Sequence, residues 1–185
     1  MRAIVRIVTV LQHQWTPMLQ YTSSMIRTIV ALTAILAVPT FPADIYKGAQ
    51  VQEVYRIRLD RGDLLLETIQ DAIRTNNIQD GAVLTAVGSL QECTYHRVKS
   101  DAAKPEDEFL TVKAPIEIQN VNGLSAAGEP HIHLTLSSPD KGVFGGHLEN
   151  GCKVLYRAEI TIAKFSGTKL ARKLNKDGVP MLQTR

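Results

Sequence analysis

Residues 128–151 read GEPHIHLTLSSPDKGVFGGHLENG, and this stretch decides both the fold class and the candidate site. In a β-strand successive side chains point to opposite faces, so His131 and His133, two residues apart in the run HIHLTL, project from the same face. The turn signal Ser138-Pro139-Asp140-Lys141-Gly142, followed by Gly145-Gly146, lets the chain double back and bring His147 alongside them. The stretch therefore predicts two antiparallel strands, His131–Leu136 and Val143–Leu148, carrying three converging imidazoles. Gly145-Gly146 is expected to permit close backbone approach beside the histidines rather than to cradle a phosphate.

Three neutral imidazoles suit a divalent metal, zinc first among them. A tris-histidine set also leaves a fourth position open for water or a ligand. A single histidine in a strand is ordinarily a half-buried polar residue with a hydrogen-bond partner. Of the five histidines in the chain, however, three fall within 17 positions and two are in same-face register. The expected metal ligands are thus His131, His133 and His147. His13 and His96 stand apart in the sequence and are read as non-functional. Glu129, Glu149 and Glu159 lie near enough to orient an imidazole or to act as a base, the alternative for each being a surface carboxylate. Cys93 and Cys152 read by default as buried free thiols; a disulfide and a metal-ligating Cys152 are the other readings.

Working outward, Val54–Leu59 (VYRIRL) alternates with Tyr55, Ile57 and Leu59 on its apolar side. Asp63 is a candidate N-cap, and Leu65, Leu66, Ile69, Ala72 and Ile73 recur at helical spacing up to Asn76-Asn77, which predicts one amphipathic helix over the sheet. Gly81–Val87 and Gln91–Val98 read as two strands joined at Gly88-Ser89. Ser100–Glu108 reads as a loop, Phe109–Ile118 and Lys153–Ile162 as strands, and Thr168–Asn175 as a short terminal helix. The expected fold class is α/β of the α+β type, a mostly antiparallel sheet with one main helix.

These pieces carry a resemblance. YRIRLDRGDLLLETI, DGAVLTAVGSLQECTY, GEPHIHLTLSSPDKGVFGGHLENGCKV and the AEI of Ala158–Ile160 together resemble the PPC domain (plants and prokaryotes conserved), which stands alone in prokaryotes and is joined to AT-hooks in plant nuclear proteins. The resemblance runs from Tyr55 to about Met181. It implies a compact α/β domain, a homotrimer, and a metal on the matching His131, His133 and His147 in some prokaryotic members. Where many members read a SLSG-like run this chain has Asn120-Val121-Asn122-Gly123, which changes the lining of any pocket built there. The family's DNA-binding naming is an analogy at the level of fold and assigns no activity.

The N-terminal part sets the expected location. Thr28–Val38 is an uncharged apolar stretch of 11 residues, preceded by Arg27 and followed by Pro39, Pro42, Ala43 and Asp44. This is the pattern of a secretory signal peptide and is short for a bilayer span. We expect a leader over 1–43, with Met25 as an alternative start to Met1, and a single domain over 44–185 that is periplasmic or secreted, or cytoplasmic if the leader is mis-called. An uncleaved anchor or a core helix is the competing reading.

Arg2, Arg6 and Arg27 account for the net charge of +3, so the part from Asp44 onward is neutral. Without a basic stripe or an AT-hook, nucleic acid is a poor partner. The local cluster Lys164, Lys169, Arg172, Lys173 and Lys176 reads as a solvated face or tail. No GxSxG, phosphate loop or CxxC motif names another chemistry. The expected function is binding of a metal and, through it, of a small anionic or carbonyl ligand. If the protein is an enzyme, metal-assisted hydrolysis or lyase-type chemistry is the class. The two alternatives from other classes are a DNA-associated regulator and a structural trimer with interface histidines.

Overall fold

A computed structural model describes residues 43–185. The expected leader and His13 therefore lie outside the described residues, Ala43 excepted. Among the described residues no helix is long and apolar enough to cross a membrane.

Eight strands and one helix follow in the order β1 (Gln50–Asp60), α1 (Leu65–Thr75), β2 (Asp80–Val98), β3 (Asp107–Ala126), β4 (Glu129–Ser138), β5 (Gly142–Leu148), β6 (Lys153–Ser166), β7 (Leu170–Leu174) and β8 (Pro180–Thr184). The first six strands form one antiparallel sheet in the order β1-β6-β2-β3-β4-β5, and β7 pairs with β8 apart from it. β5 also pairs with β2, at Tyr95↔Leu148 and His96↔His147. This extra pairing rolls β2, β3, β4 and β5 into a closed circuit, and the site lies on its outer surface.

The core fills by alternation. Ile132, Leu134 and Leu136 of β4 are buried while His131, His133 and Thr135 between them are exposed. α1 lays Leu65, Leu66, Ile69 and Ile73 against the sheet, where they meet Leu59, Leu90, Ile116, Leu148, Ile160 and Ile162. An amphipathic face of this kind holds a helix through burial rather than through intrinsic propensity.

Four expectations are corrected here. Asp63 does not cap α1: Leu64 occupies that position without a side-chain cap bond, and Asp63 accepts instead from the Asp60 N–H at 2.8 Å. The helix start is satisfied by tertiary partners, the Leu65 N–H donating to the Cys152 carbonyl at 2.8 Å. Gly88-Ser89 does not join two strands; β2 runs unbroken for 19 residues and its pairing with β6 shifts register between Gly88 and Leu90. A β-bulge bends a strand without ending it, which is how β2 serves three neighbours.

Thr168–Asn175 is not helical. Its residues enter the β7–β8 hairpin, whose turn is held by Asn175 Oδ1 accepting from the Asp177 and Val179 N–H groups, both at 2.9 Å. The cysteines, finally, are not free. Cys93 and Cys152 form a disulfide, fully buried at both ends, which also removes Cys152 as a metal ligand.

Candidate metal centre

The register of the circuit, more than any single strand, assembles the site. His133 stands opposite Asn122 on β3 and opposite His147 on β5, and His147 in turn stands opposite His96 on β2. Directly opposed residues in an antiparallel pair have Cβ atoms about 4.5–5.5 Å apart. Asn122, His133, His147 and His96 thus form one row across four strands, with His131 two residues along β4. The close approach of β5 to both neighbours depends on its glycines: a Cβ on Gly145 would strike the Leu134 carbonyl oxygen, and one on Gly146 the His96 carbonyl oxygen.

The ring centroids of His131, His133 and His147 lie 5.2, 5.1 and 5.4 Å apart pairwise. The structure therefore brings together all three histidines singled out in the sequence. The Nε2 atoms of His131 and His133 are 3.2 Å apart. Nitrogens bound about 2.0–2.1 Å from a tetrahedral zinc lie about 3.3–3.4 Å apart, so the pair is spaced as two ligands of one ion would be.

His96 corrects the sequence reading. Far from isolated, it stacks on His147 with centroids 4.5 Å apart and planes 17° from parallel. Its Nδ1 is 2.6 Å from Glu149 Oε1, which also lies 3.4 Å from His147 Nδ1. His96, His147 and Glu149 form a second potential ligand set, with donor atoms all within 4.8 Å of one another. His147 belongs to both sets. Its contact with Glu149 falls within ion-pair reach but lacks hydrogen-bond alignment, and its buried Nδ1 has no hydrogen-bond partner. Nothing in the linear sequence flags His96; the signal is its register opposite His147, which needs the β2–β5 pairing to be known.

The other candidates separate. Glu149 joins the site. Glu129 is exposed at the start of β4, and Glu159 sits on β6 beside Arg157 at 3.8 Å, away from the histidine row. Asn120 and Asn122 line a groove with His133.

Of the basic cluster, Arg172 is no solvated tail residue: its guanidinium donates to the Glu129 carbonyl at 2.9 Å and the Leu124 carbonyl at 3.1 Å. Lys164 donates to the Asn76 carbonyl at the end of α1 at 2.9 Å, a favourable place for a cation.

Burial, then the Arg172 guanidinium and then the neighbouring imidazoles hold His131 below the ordinary histidine value. Burial and then His96 lower His147 as well, against an upward pull from Glu149. Both shifts favour the neutral imidazole, the form that binds a metal.

The chain belongs to the Plants and Prokaryotes Conserved (PCC) domain family, whose pattern matches residues 46–166. It is similar to the bifunctional protein GlmU of Synechococcus sp. strain JA-2-3B'a(2-13), 31% identical over 120 residues that make up 65% of this chain and 18% of that protein. The chain thus spans less than a fifth of the length of the curated relatives it matches.

Among solved structures, a plant- and prokaryote-conserved protein of Pyrococcus horikoshii aligns with a TM-score of 0.64 and 24% identity, over 76% of this chain and 97% of that one. A metal-containing protein of Archaeoglobus fulgidus aligns at 0.63 and 21%, over 76% and 99%. A candidate DNA-binding protein of Bacteroides thetaiotaomicron aligns at 0.61 and 17%, over 72% and 94%. These likenesses establish the mostly antiparallel fold with one helix.

Proposed function

We propose that this protein binds a divalent metal, zinc by preference, on His131, His133 and His147, and that the ion presents an open position to a small anionic or carbonyl ligand. The observation that carries the reading is the convergence of three imidazoles on one exposed patch, two of them with Nε2 atoms 3.2 Å apart. The buried, unpartnered Nδ1 of His147 faces Glu149. That leaves its other nitrogen for an ion shared with the β4 histidines, Glu149 orienting the ring as outer-shell carboxylates do. A bound zinc would act as a Lewis acid toward its ligand. Glu149, the carboxylate that joins the site, is assigned to orienting the imidazoles rather than to proton transfer, and binding is the assignment.

Export and a homotrimer complete the proposal. A buried disulfide is in keeping with an oxidising compartment, and with the leader pattern it favours a periplasmic or secreted protein. Val143, Phe109 and Val98 are 74%, 64% and 64% exposed, and apolar exposure of this extent around the site suits a face covered by further copies. The neutral charge of the domain weighs against duplex DNA, the reading that the naming of one structural neighbour would suggest.

The test is elemental analysis of the full chain after equilibration with zinc and removal of excess. Near one zinc per chain is expected, lost in His131→Ala/His133→Ala and in His147→Ala and kept in His96→Ala. Retention in His131→Ala/His133→Ala with loss in both His147→Ala and His96→Ala would move the ion to His96, His147 and Glu149; no zinc in the parent would refute a metal centre.

A further inference from the structure

A groove of about 320 Å³ opens beside the metal centre, lined chiefly by Asn120, Asn122, His133, Thr135, Phe144 and Gly145. Resting on the metal reading above, we propose that this groove holds the organic part of the metal-bound ligand, and that this ligand is a short carboxylate bearing an uncharged hydrogen-bonding group such as a carboxamide.

Register places the groove. Asn122 is opposite His133, and Asn120 is opposite Thr135, which stands in turn opposite Gly145. A ligand held at His133 therefore extends along β4 toward Thr135, flanked on the β3 side by two asparagine amides. On the β5 side Gly145 adds no side chain, and Val143, opposite Ser137 on the same face of the sheet, contributes an apolar wall, while the Phe144 ring turns inward against the core. The side chains of Asn120, Asn122 and Thr135 make no hydrogen bond within the described residues, so their donors and acceptors are open to a ligand.

The lining selects the chemistry. No Lys, Arg, Asp or Glu borders the groove, so a second carboxylate on the ligand would lose water there without gaining a cation. An asparagine amide offers both donors and an acceptor, the complement of a group that itself donates and accepts, and a carboxamide does both. The volume lies at the lower end of small-molecule sites, which admits a few heavy atoms beyond the end bound at the metal.

Succinamate and its apolar isostere 4-methylpentanoate share a carboxylate and a shape and differ in the amide, so their affinity ratio for the zinc-loaded full chain reads the groove. Titration calorimetry is expected to give succinamate at least about tenfold tighter binding, as two modest hydrogen bonds would supply. Asn120→Ala/Asn122→Ala should bring the ratio close to one with zinc content unchanged, and Thr135→Val, which keeps the side-chain shape, should reduce it in part.

Equal affinities in the parent, or a ratio that survives in both variants, would overturn the groove assignment. So would loss of zinc from the double variant, which would make the asparagines supports of His133. Absence of zinc from the parent, measured before any ligand is added, refutes the metal centre itself and takes this inference with it.

Discussion

His147 touches every other member of the cluster: it pairs across the ladder with His133 and His96, its ring lies 5.1 Å from that of His131, and Glu149 lies 3.4 Å from its Nδ1. Its pKa and that of His131 are lowered, chiefly by burial. A folded-state value below the unfolded one means that acid favours the unfolded chain. The stability tied to these rings is present above the ordinary histidine value of about 6.5 and is lost as pH falls through the depressed folded values. Denaturant unfolding of the metal-free protein should therefore show stability level from pH 8 to 7 and falling toward pH 5, with a shallower fall in His147→Gln; stability that rises on acidification would contradict the account.

At the same scale, the same-face pair His131 and His133 is legible in the sequence because strand periodicity needs no tertiary information. His96 is not, because its partner lies 51 residues further along the chain and meets it only through the closing β2–β5 pairing. The same-face rule finds neighbours along one strand and is blind to neighbours across a ladder.

Among the elements, the β4–β5 hairpin was fully legible: its turn residues, its glycines and its apolar alternation all agree. The bulge at Gly88 and the hairpin at the C-terminus were not. A glycine in a strand can mark a turn or a bulge, and only the pairing of β2 with β6 on both sides of Gly88 decides it. Thr168–Asn175 carries residues compatible with a helix, but Asn175-Lys176-Asp177-Gly178 closes a turn through the Asn175 side chain and commits the flanks to pair.

Two predictions belong here. Gly146→Ala sets a Cβ against the His96 carbonyl oxygen and should cost about 1–3 kcal/mol, the range for overpacking, together with zinc retention; denaturant midpoints and metal content measure both, and an unperturbed protein would contradict the tight β2–β5 approach. Asp80 is buried, accepts from the Leu170 N–H at 2.8 Å and pairs with Arg185 at 2.9 Å. Asp80→Ala should release the β7–β8 hairpin, seen as faster tryptic cleavage at Arg172 and Lys173 while the main sheet stays resistant; equal cleavage rates would show that the hairpin is held by other contacts.

For the whole molecule, the family resemblance led to the fold because its motifs lie in strands of the main sheet and in the first turns of α1, and the structure adds a disulfide that spacing alone left undecided. Cys93 and Cys152 are 59 residues apart, and a covalent link over a loop of that length stabilises by about 4 kcal/mol in the chain-entropy account. Cys93→Ala/Cys152→Ala should lower the unfolding midpoint accordingly, and reductant should lower that of the parent but not that of the variant. Indifference of the parent to reductant under unfolding conditions would argue against the bond.

The most direct test of the central claim is X-ray absorption at the zinc edge of the loaded full chain. The account predicts a nitrogen and oxygen shell at about 2.0 Å with the outer-shell scattering of three imidazoles, falling to one in His131→Ala/His133→Ala if any zinc is retained. A spectrum with fewer than three imidazoles in the parent, or one unchanged by that double substitution, would contradict it.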